Sequence, residues 1–374
     1  MSLDLFRGIT IAAMILVNNP GNDHPYWPLE HAEWNGWTPT DLVFPFFLFI
    51  VGVSLVFSFE SRLERGDSRG RLLLHAFRRA VIIFAIGLAM NYSAVLVFPS
   101  SHSGVRIPGV LQRIGVCYLA ASLLFLYVRP RTRAVIVAAL LIGYWVLMRF
   151  VPVPGFGVPG RDIPFLHPDA NLAAYLDRRF LTTLWEKTRD PEGLLSTLPA
   201  IATALLGVFT GEWLRSKSSP RDKALAMLFC GVGTLILGGI WGIWFPINKK
   251  LWTSSYVLFT AGLALVCLVA CYWAADIKHW QEGRIYRVLT KPFIIFGRNA
   301  IAAYIAAWLF AVLPYFLTLQ VNGQKRHAAE YIFEHVFAPL GSPSFASLLF
   351  SLAFVLLCLL PIWLMDRKRI FLKI

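Results

Sequence analysis

Long apolar segments separated by short polar connections recur along the whole chain. Each segment approaches the length of a helix that crosses the apolar core of a bilayer, which takes roughly 20 residues. Apolar positions run continuously instead of alternating, which is typical of membrane helices and not of barrel strands. The pattern predicts about ten spans, near residues 9–17, 41–59, 80–98, 109–128, 134–150, 196–214, 224–245, 253–275, 293–314 and 344–365.

The sequence therefore predicts an all-α polytopic membrane helix bundle that forms a single domain over residues 1–374. An even number of spans places both termini on one side of the membrane. Five connections then lie together on the opposite side, at about residues 20–40, 99–108, 151–195, 246–252 and 319–343. The last of these is expected to contain a short amphipathic piece, Glu330 to Phe337.

Composition and charge placement support this arrangement. Hydrophobic residues make up 57% of the chain, and the mean hydropathy is +0.61. The formal charge is +14, but connections on the side of the termini hold 22 Lys and Arg residues, against five on the other side when 151–195 is set aside. The positive-inside rule makes the termini cytoplasmic and the other connections outward-facing. Membrane lipids, and not nucleic acid, are therefore the expected partners of this charge.

The outward connection before the second span carries the first candidate site. Thr38 followed by Pro39 is typical of a helix start, and Asp41 lies where a carboxylate completes a capping box. His31 precedes this cap, and an imidazole held there is a candidate general base. Asn18 ends the first span at the same depth and is a candidate donor to an oxyanion. The structural alternatives are an interfacial His31, a purely capping Asp41 and a C-capping Asn18.

Further polar residues lie in or beside apolar segments. Arg113 falls about one turn inside the fourth span, where an ionisable group is costly and suggests function; its alternative is snorkelling to the interface. Asn299 lies early in the ninth span, and Asn248 belongs to an outward basic turn. Ser255 begins the eighth span, where small hydroxyl groups also serve helix packing.

Several kinds of site are not indicated. The sequence has no Walker loop, no dinucleotide-binding glycine pattern, no serine nucleophile elbow and no zinc-ligand spacing. Cys267 and Cys271 share a helix face without a nearby His or acidic residue, which favours packing over metal binding. No metal is expected.

The segment HAEWNGWTPTDLVFP, residues 31–45, resembles transmembrane acetyltransferases typified by the lysosomal heparan-α-glucosaminide N-acetyltransferase. The resemblance continues, in order and spacing, through residues 2–8, 105–113, 151–155, 190–193, 246–252 and 367–374. It implies transfer of an acetyl group from cytoplasmic acetyl-CoA to the amine of a glucosamine-type sugar on the outer face. A bacterial inner membrane is the expected location.

The resemblance also assigns roles to residues. His31 matches the family's active-site histidine, and Asn18 and Asp41 match residues near the acetyl end of the donor. His31 acts either as a base for the amine, since an imidazole titrates near neutral pH, or as an acetyl carrier. The residues predicted to bind acetyl-CoA are Arg113, Ser255, Asn299 and Asn248.

Other functions remain open at this point. O-acetylation of a cell-envelope glycan would use the same donor and base. A small-molecule transporter would suit ten spans and an arginine within a span, although the broken helices in repeated halves that favour a transporter are not evident. A non-catalytic membrane partner is the third alternative. The resemblance also admits a homodimer, with no interface apparent in the sequence.

Overall fold

The computed structural model describes residues 1–97, 104–321 and 324–372. Its helices are α1 Ser2–Asn18, α2 Val43–Leu63, α3 Arg69–Val97, α4 Val110–Tyr127, α5 Pro130–Phe150, α6 Leu172–Phe180, α7 Thr197–Arg215, α8 Pro220–Trp241, α9 Ser254–Tyr272, α10 Arg284–Arg298, α11 Ala300–Phe316, α12 Ala328–Ile332 and α13 Pro343–Arg367. One antiparallel hairpin pairs β1, Thr318–Val321, with β2, Gln324–His327. The expected loop at 99–108 lies partly outside the described residues.

Within the described residues, eight helices are long and apolar enough to cross a membrane, and α10 with α11 makes a ninth if counted as one span. Helix α1, with 17 residues, is shorter than these. The prediction of an all-α polytopic bundle is therefore confirmed. The ten predicted segments correspond to these nine and to α1.

The ninth predicted span differs most from its prediction. Helix α10 begins at Arg284, upstream of the expected start near Phe293, and α10 and α11 meet at 89°. The break falls at Asn299, whose side chain binds the C-terminal tail: Nδ2 donates to the carbonyl of Ile370 at 3.2 Å, and Oδ1 accepts from the Leu372 amide at 3.1 Å. The residue at the break therefore contacts the far end of the chain.

Helix backbones come very close at several glycines, among them Gly8 and Gly207. A Cβ at Gly8 would clash with the carbonyl oxygen of Phe293, where α1 crosses α10. A Cβ at Gly207 would clash in the same way with the carbonyl of Phe49, where α7 crosses α2. Small residues allow such approach in membrane bundles, where packing rather than the hydrophobic effect holds helices together.

The two chain ends lie at the same end of the bundle. The N-terminal amine is 3.6 Å from a carboxylate oxygen of Asp276, just beyond α9. The C-terminal tail lies against Asn299, and Arg7 of α1 donates to the carbonyl of the nearby Gly297 at 2.9 Å. This agrees with an even number of spans. The side of the membrane on which the termini lie stays a prediction.

Candidate active site

The loop that carries His31 contacts two other connections that the sequence predicts to lie on the same side of the membrane. Trp34 donates through Nε1 to the carbonyl of Leu166 at 2.9 Å, which ties this loop to the long 151–195 connection. The amide of Gly36 donates to the carbonyl of Ile247 at 2.8 Å. Gly36 has φ +101°, in the left-handed region that glycine enters at no steric cost. The loop is thus held on both flanks.

Asp41 both caps a helix and contacts the imidazole. Its Oδ2 accepts from the amides of Thr38 at 3.1 Å and Ala32 at 3.0 Å, so the predicted capping box is present. Its Oδ1 lies 2.8 Å from Nδ1 of His31. The Asp41 side chain is 1% exposed, whereas that of His31 is 48% exposed. The hydroxyl of Tyr256 donates to the Asp41 carbonyl at 2.5 Å, which fixes the backbone as well.

Lys249 is a third charged group beside this pair. Its Nζ lies 2.9 Å from Nδ1 of His31 and 3.2 Å from Oδ1 of Asp41. Burial of the ammonium lowers the pKa of Lys249, and Asp41 and Glu192 oppose that effect. Lys249 belongs to the basic turn noted in the sequence, but Asn248 and not Lys249 was predicted there as a site residue. Only the fold brings the turn before α9 against the loop before α2.

Nδ1 of His31 holds either one hydrogen or one lone pair, so it cannot bond to both neighbours at once. When Nδ1–H donates to Asp41, Nε2 has a lone pair and can accept a proton. When Lys249 donates to Nδ1, Nε2 carries the hydrogen and the ring cannot act as a base there. Asp41 and Lys249 therefore compete over the state of the imidazole.

His31 and Lys249 line one end of a cavity of about 420 Å³. Arg7, Arg79 and Arg298 also line this cavity. Arg7 and Asn18 both lie on α1, eleven residues and therefore about 16 Å apart along its axis. The helices between these ends contribute mainly apolar walls: Phe47, Val51, Leu55, Ile83, Ile86 and Ile114.

The end beside the chain termini is strongly basic. Arg7 donates through Nη2 to the hydroxyl of Ser54 at 3.2 Å. Arg79 lies over the ring of Tyr118 at 5.0 Å, and its buried Nε has no hydrogen-bond partner among the described residues. Arg298 is 3.3 Å from a carboxylate oxygen of Asp366. Three guanidinium groups on one cavity form a site for an anion. The sequence analysis did not single out Arg7 or Arg79.

Asn18 lines the cavity together with His31. It is the last residue of α1, and the side chain that bonds back into the helix belongs instead to Asn19, whose Nδ2 donates to the carbonyl of Ile15 at 2.8 Å. The Asn18 amide is exposed and makes no hydrogen bond within the described part of the chain. It is free to bind a ligand.

The four residues predicted to bind acetyl-CoA are not among the described residues that line this cavity. Arg113 is buried, stacks on Trp252 and donates to the hydroxyl of Ser196 at 2.5 Å. Asn248 donates to Asn35 at 3.1 Å, Ser255 donates to the carbonyl of Phe245, and Asn299 binds the C-terminal tail. These contacts hold the frame around the site. The binding role of the four stays a prediction.

A metal ion finds no obvious place among the residues that the structure describes. In the ranges that it describes, no three His, Cys, Asp or Glu side chains are grouped as ligands would be. Cys267 and Cys271 are both free thiols on α9. The expected absence of a metal stays a prediction.

Comparisons with known proteins agree on one family. The family model described as heparan-alpha-glucosaminide N-acetyltransferase, catalytic, matches residues 1–237. The human heparan-alpha-glucosaminide N-acetyltransferase is 32% identical over 88% of this chain and 56% of its own length. The mouse protein of the same name is 31% identical over 81% of this chain and 52% of its own length. The chain thus spans about half the length of the curated relatives it matches.

Proposed function

This chain belongs to the family of heparan-α-glucosaminide N-acetyltransferase catalytic domains, and we propose that it transfers acetyl from acetyl-CoA to the amine of a glucosamine-type sugar. The observation that carries the proposal is one cavity with two different ends. One end has three guanidinium groups, and the other has an imidazole held by a buried carboxylate. An anionic donor with a reactive tip requires such a pair of ends.

The two different ends of the cavity suit acetyl-CoA in one orientation, with its phosphates at the basic end. Phosphates of CoA would bind Arg7, Arg79 and Arg298, because guanidinium groups pair with phosphate through charge-assisted hydrogen bonds. The flexible arm would follow the apolar walls and bring the thioester to His31. The basic end lies beside the chain termini, which the positive-inside rule assigns to the cytoplasm. We therefore propose that acetyl-CoA enters from the cytoplasm of a bacterial cell and that the acceptor arrives at the outer face of its inner membrane.

The chain's own groups supply the steps of the reaction. The amine nitrogen attacks the thioester carbon, the carbon–sulfur bond breaks, and the sulfur leaves as a thiolate. Nε2 of His31 accepts a proton from the attacking nitrogen while Nδ1–H donates to Asp41. The amide of Asn18 donates to the oxyanion of the tetrahedral intermediate. In the alternative order, His31 attacks first and carries the acetyl group to the amine.

A direct assay tests the proposal. Purified protein in detergent receives radiolabelled acetyl-CoA with glucosamine, and labelled N-acetylglucosamine is the expected product. Glucose in place of glucosamine tests the O-acetylation alternative in the same assay. Folded protein that does not bind acetyl-CoA would contradict the proposal and favour a transporter. If the protein binds acetyl-CoA but transfers acetyl to neither amine nor hydroxyl acceptors, only the donor site of the proposal remains supported.

Replacement of Arg79 by glutamine should weaken acetyl-CoA binding about tenfold or more, because a charge-assisted hydrogen bond contributes roughly 1.5–3 kcal/mol. The rate at saturating donor should change little, since Arg79 lies with Arg7 at the basic end of the cavity. Titration calorimetry with acetyl-CoA measures the loss. Arg78→Gln is the matched control, because Arg78 is exposed on the same helix and does not line the cavity. Equal acetyl-CoA affinities of the two variants would show that the phosphates bind elsewhere.

Replacement of Lys249 by methionine should raise kcat/KM by about twofold at every pH. Lys249 competes with Asp41 for Nδ1 of His31, and a ring that accepts from Lys249 at Nδ1 has no lone pair on Nε2. Without Lys249, Nδ1–H donates to Asp41 alone and Nε2 keeps its lone pair. A pH–rate profile measures this, with Lys250→Met as control, because Lys250 pairs with Glu186 instead. A uniform loss of rate at all pH values would argue for a structural role only.

A further inference from the structure

One carboxylate lies in a cavity that otherwise suits an anion. Among the described residues that line the cavity, Glu192 is the only acidic one. A carboxylate there opposes the binding of a polyanionic donor, and burying a charge is costly unless it is paired. Glu192 therefore requires an explanation beyond the donor site.

Glu192 is held rigidly from outside the cavity. Its Oε2 pairs with Nη2 of Arg106, and Arg106 is fixed in turn by two hydrogen bonds to Asp190, at 2.6 and 2.5 Å. Arg106 also lies over the ring of Trp185 at 5.0 Å. Three groups thus position a single carboxylate.

The other oxygen of Glu192 is not used by this network. Within the described part of the chain, Oε1 has no hydrogen-bond partner, and the side chain is 13% exposed. A charged oxygen that is positioned but unpaired is what a ligand cation needs. Arg106 supplies the charge balance that keeps the site formed when no ligand is bound.

Glu192 lies near the reacting end of the cavity. It lines the same cavity as His31 and Lys249, and it is close enough to Lys249 to oppose the effect of burial on the pKa of that ammonium. Since the donor's negative charges are expected at the opposite end, a cation that binds Glu192 would belong to the other substrate.

We propose that Glu192 binds the ammonium group of the acceptor amino sugar through Oε1 and so selects primary amines over hydroxyl groups. The inference rests on the proposed transferase function. An amino sugar is largely protonated near neutral pH, so the form that arrives is a cation. Glu192 binds this cation, and His31 accepts the proton that must leave before attack. The second nitrogen proton leaves as the tetrahedral intermediate collapses and goes to the departing thiolate, so the products are the amide, free CoA thiol and one proton released to solvent.

The test compares Glu192→Gln with Glu212→Gln. Glutamine keeps an oxygen for Arg106 but removes the negative charge. Glu212 is a matched control, because it pairs with Arg133 and does not line the cavity. In Glu192→Gln, the KM for glucosamine should rise about tenfold or more. The KM for acetyl-CoA should not change. Preference for glucosamine over glucose should fall by a similar factor.

The outcomes separate this inference from the function on which it rests. If the wild type acetylates glucosamine and Glu192→Gln has an unchanged KM for it, the ammonium site is wrong and the function stands. A rise in both KM values, with reduced thermal stability, would mean that Glu192 only holds Arg106. If the wild type transfers no acetyl group, the ammonium site can still be tested by ligand binding. The measurement is the shift of the melting temperature that glucosamine causes, compared with the shift that glucose causes. A shift in wild type and in Glu212→Gln, but not in Glu192→Gln, supports the site, and equal shifts in all three overturn it.

Discussion

Alanine at position 31 should reduce acetyl transfer by about 10²–10⁴-fold, the contribution typical of a positioned general base. Acetyl-CoA affinity should stay within a factor of about two, because the proposed phosphate contacts lie at the basic end of the cavity, where Arg7 is roughly 16 Å from Asn18 along α1. The measurement is single-turnover transfer from radiolabelled acetyl-CoA to glucosamine, together with calorimetry for donor binding. His24→Ala is the control, because His24 lies exposed in the same connection between α1 and α2. Full activity of His31→Ala would remove the imidazole from the mechanism.

The same variant separates the two kinetic orders. If His31 is a base, the His31→Ala enzyme should regain activity as pH rises, since free glucosamine then supplies its own unprotonated amine. If His31 carries the acetyl group, wild-type protein incubated with acetyl-CoA alone should retain label on the peptide that contains His31, and raised pH should not rescue the variant. Mass spectrometry of the trapped peptide measures this difference.

Asparagine at position 41 should cost about as much activity as loss of His31, for a different reason. The side-chain oxygen of asparagine can still accept from the Thr38 and Ala32 amides and keep the helix cap. Its NH₂ group would then face Nδ1 of His31 and donate to it, which places the ring hydrogen on Nε2. The imidazole would be present but in the state that cannot accept a proton. We expect a rate loss of about 10²–10³-fold with the donor affinity retained.

A capping variant provides the control for Asp41→Asn. Thr38→Ala removes one hydroxyl contact to Asp41 and should lower the free energy of unfolding by about 1 kcal/mol. It leaves the contact between Asp41 and His31 in place, so its rate should stay near that of wild type. Thermal melts and transfer rates on both variants test this. Loss of stability without loss of rate in Asp41→Asn would leave Asp41 as a helix cap only.

The sequence predicts the spans of this protein well because they are local. A membrane helix satisfies its own backbone, so its apolar length alone marks it. Two features of the fold were missed. Helix α6 lies inside a connection predicted as a loop, although its start carries a local cap in which Asn171 Oδ1 accepts from the Ala174 amide at 2.9 Å. The break between α10 and α11 is the non-local case, because Asn299 at the break contacts the C-terminal tail.

The candidate site also has a part that local sequence predicts and a part that only the fold brings together. Asp41 and His31 lie ten residues apart, and the capping signal already places a carboxylate beside the loop. Arg7, Lys249 and Glu192 reach the same cavity from three distant parts of the chain. No local pattern contains that convergence. The segments that carry the family resemblance include all three residues, but a resemblance to a family does not by itself say which side chains face the cavity.

Arg113 is a residue whose surroundings the sequence alone does not predict. An arginine inside an apolar span was predicted to meet phosphate, because such a residue seldom lies there without a function. In the fold its guanidinium meets the ring of Trp252 and polar groups of the 193–196 turn. Its position in the apolar segment indicates the depth of Arg113 along the helix but not the direction in which its side chain points.

The apolar middle of the cavity has a consequence for the energy state of the membrane. A passage lined by charge at both ends would conduct protons if water filled it continuously, and a membrane that holds it would lose any electrochemical gradient. Walls such as Phe47, Val51 and Ile83 offer water no hydrogen-bond partner, and narrow hydrophobic segments block ions by drying. The bundle can thus act as an electrical insulator between its two polar ends while still admitting an uncharged, flexible thioester arm.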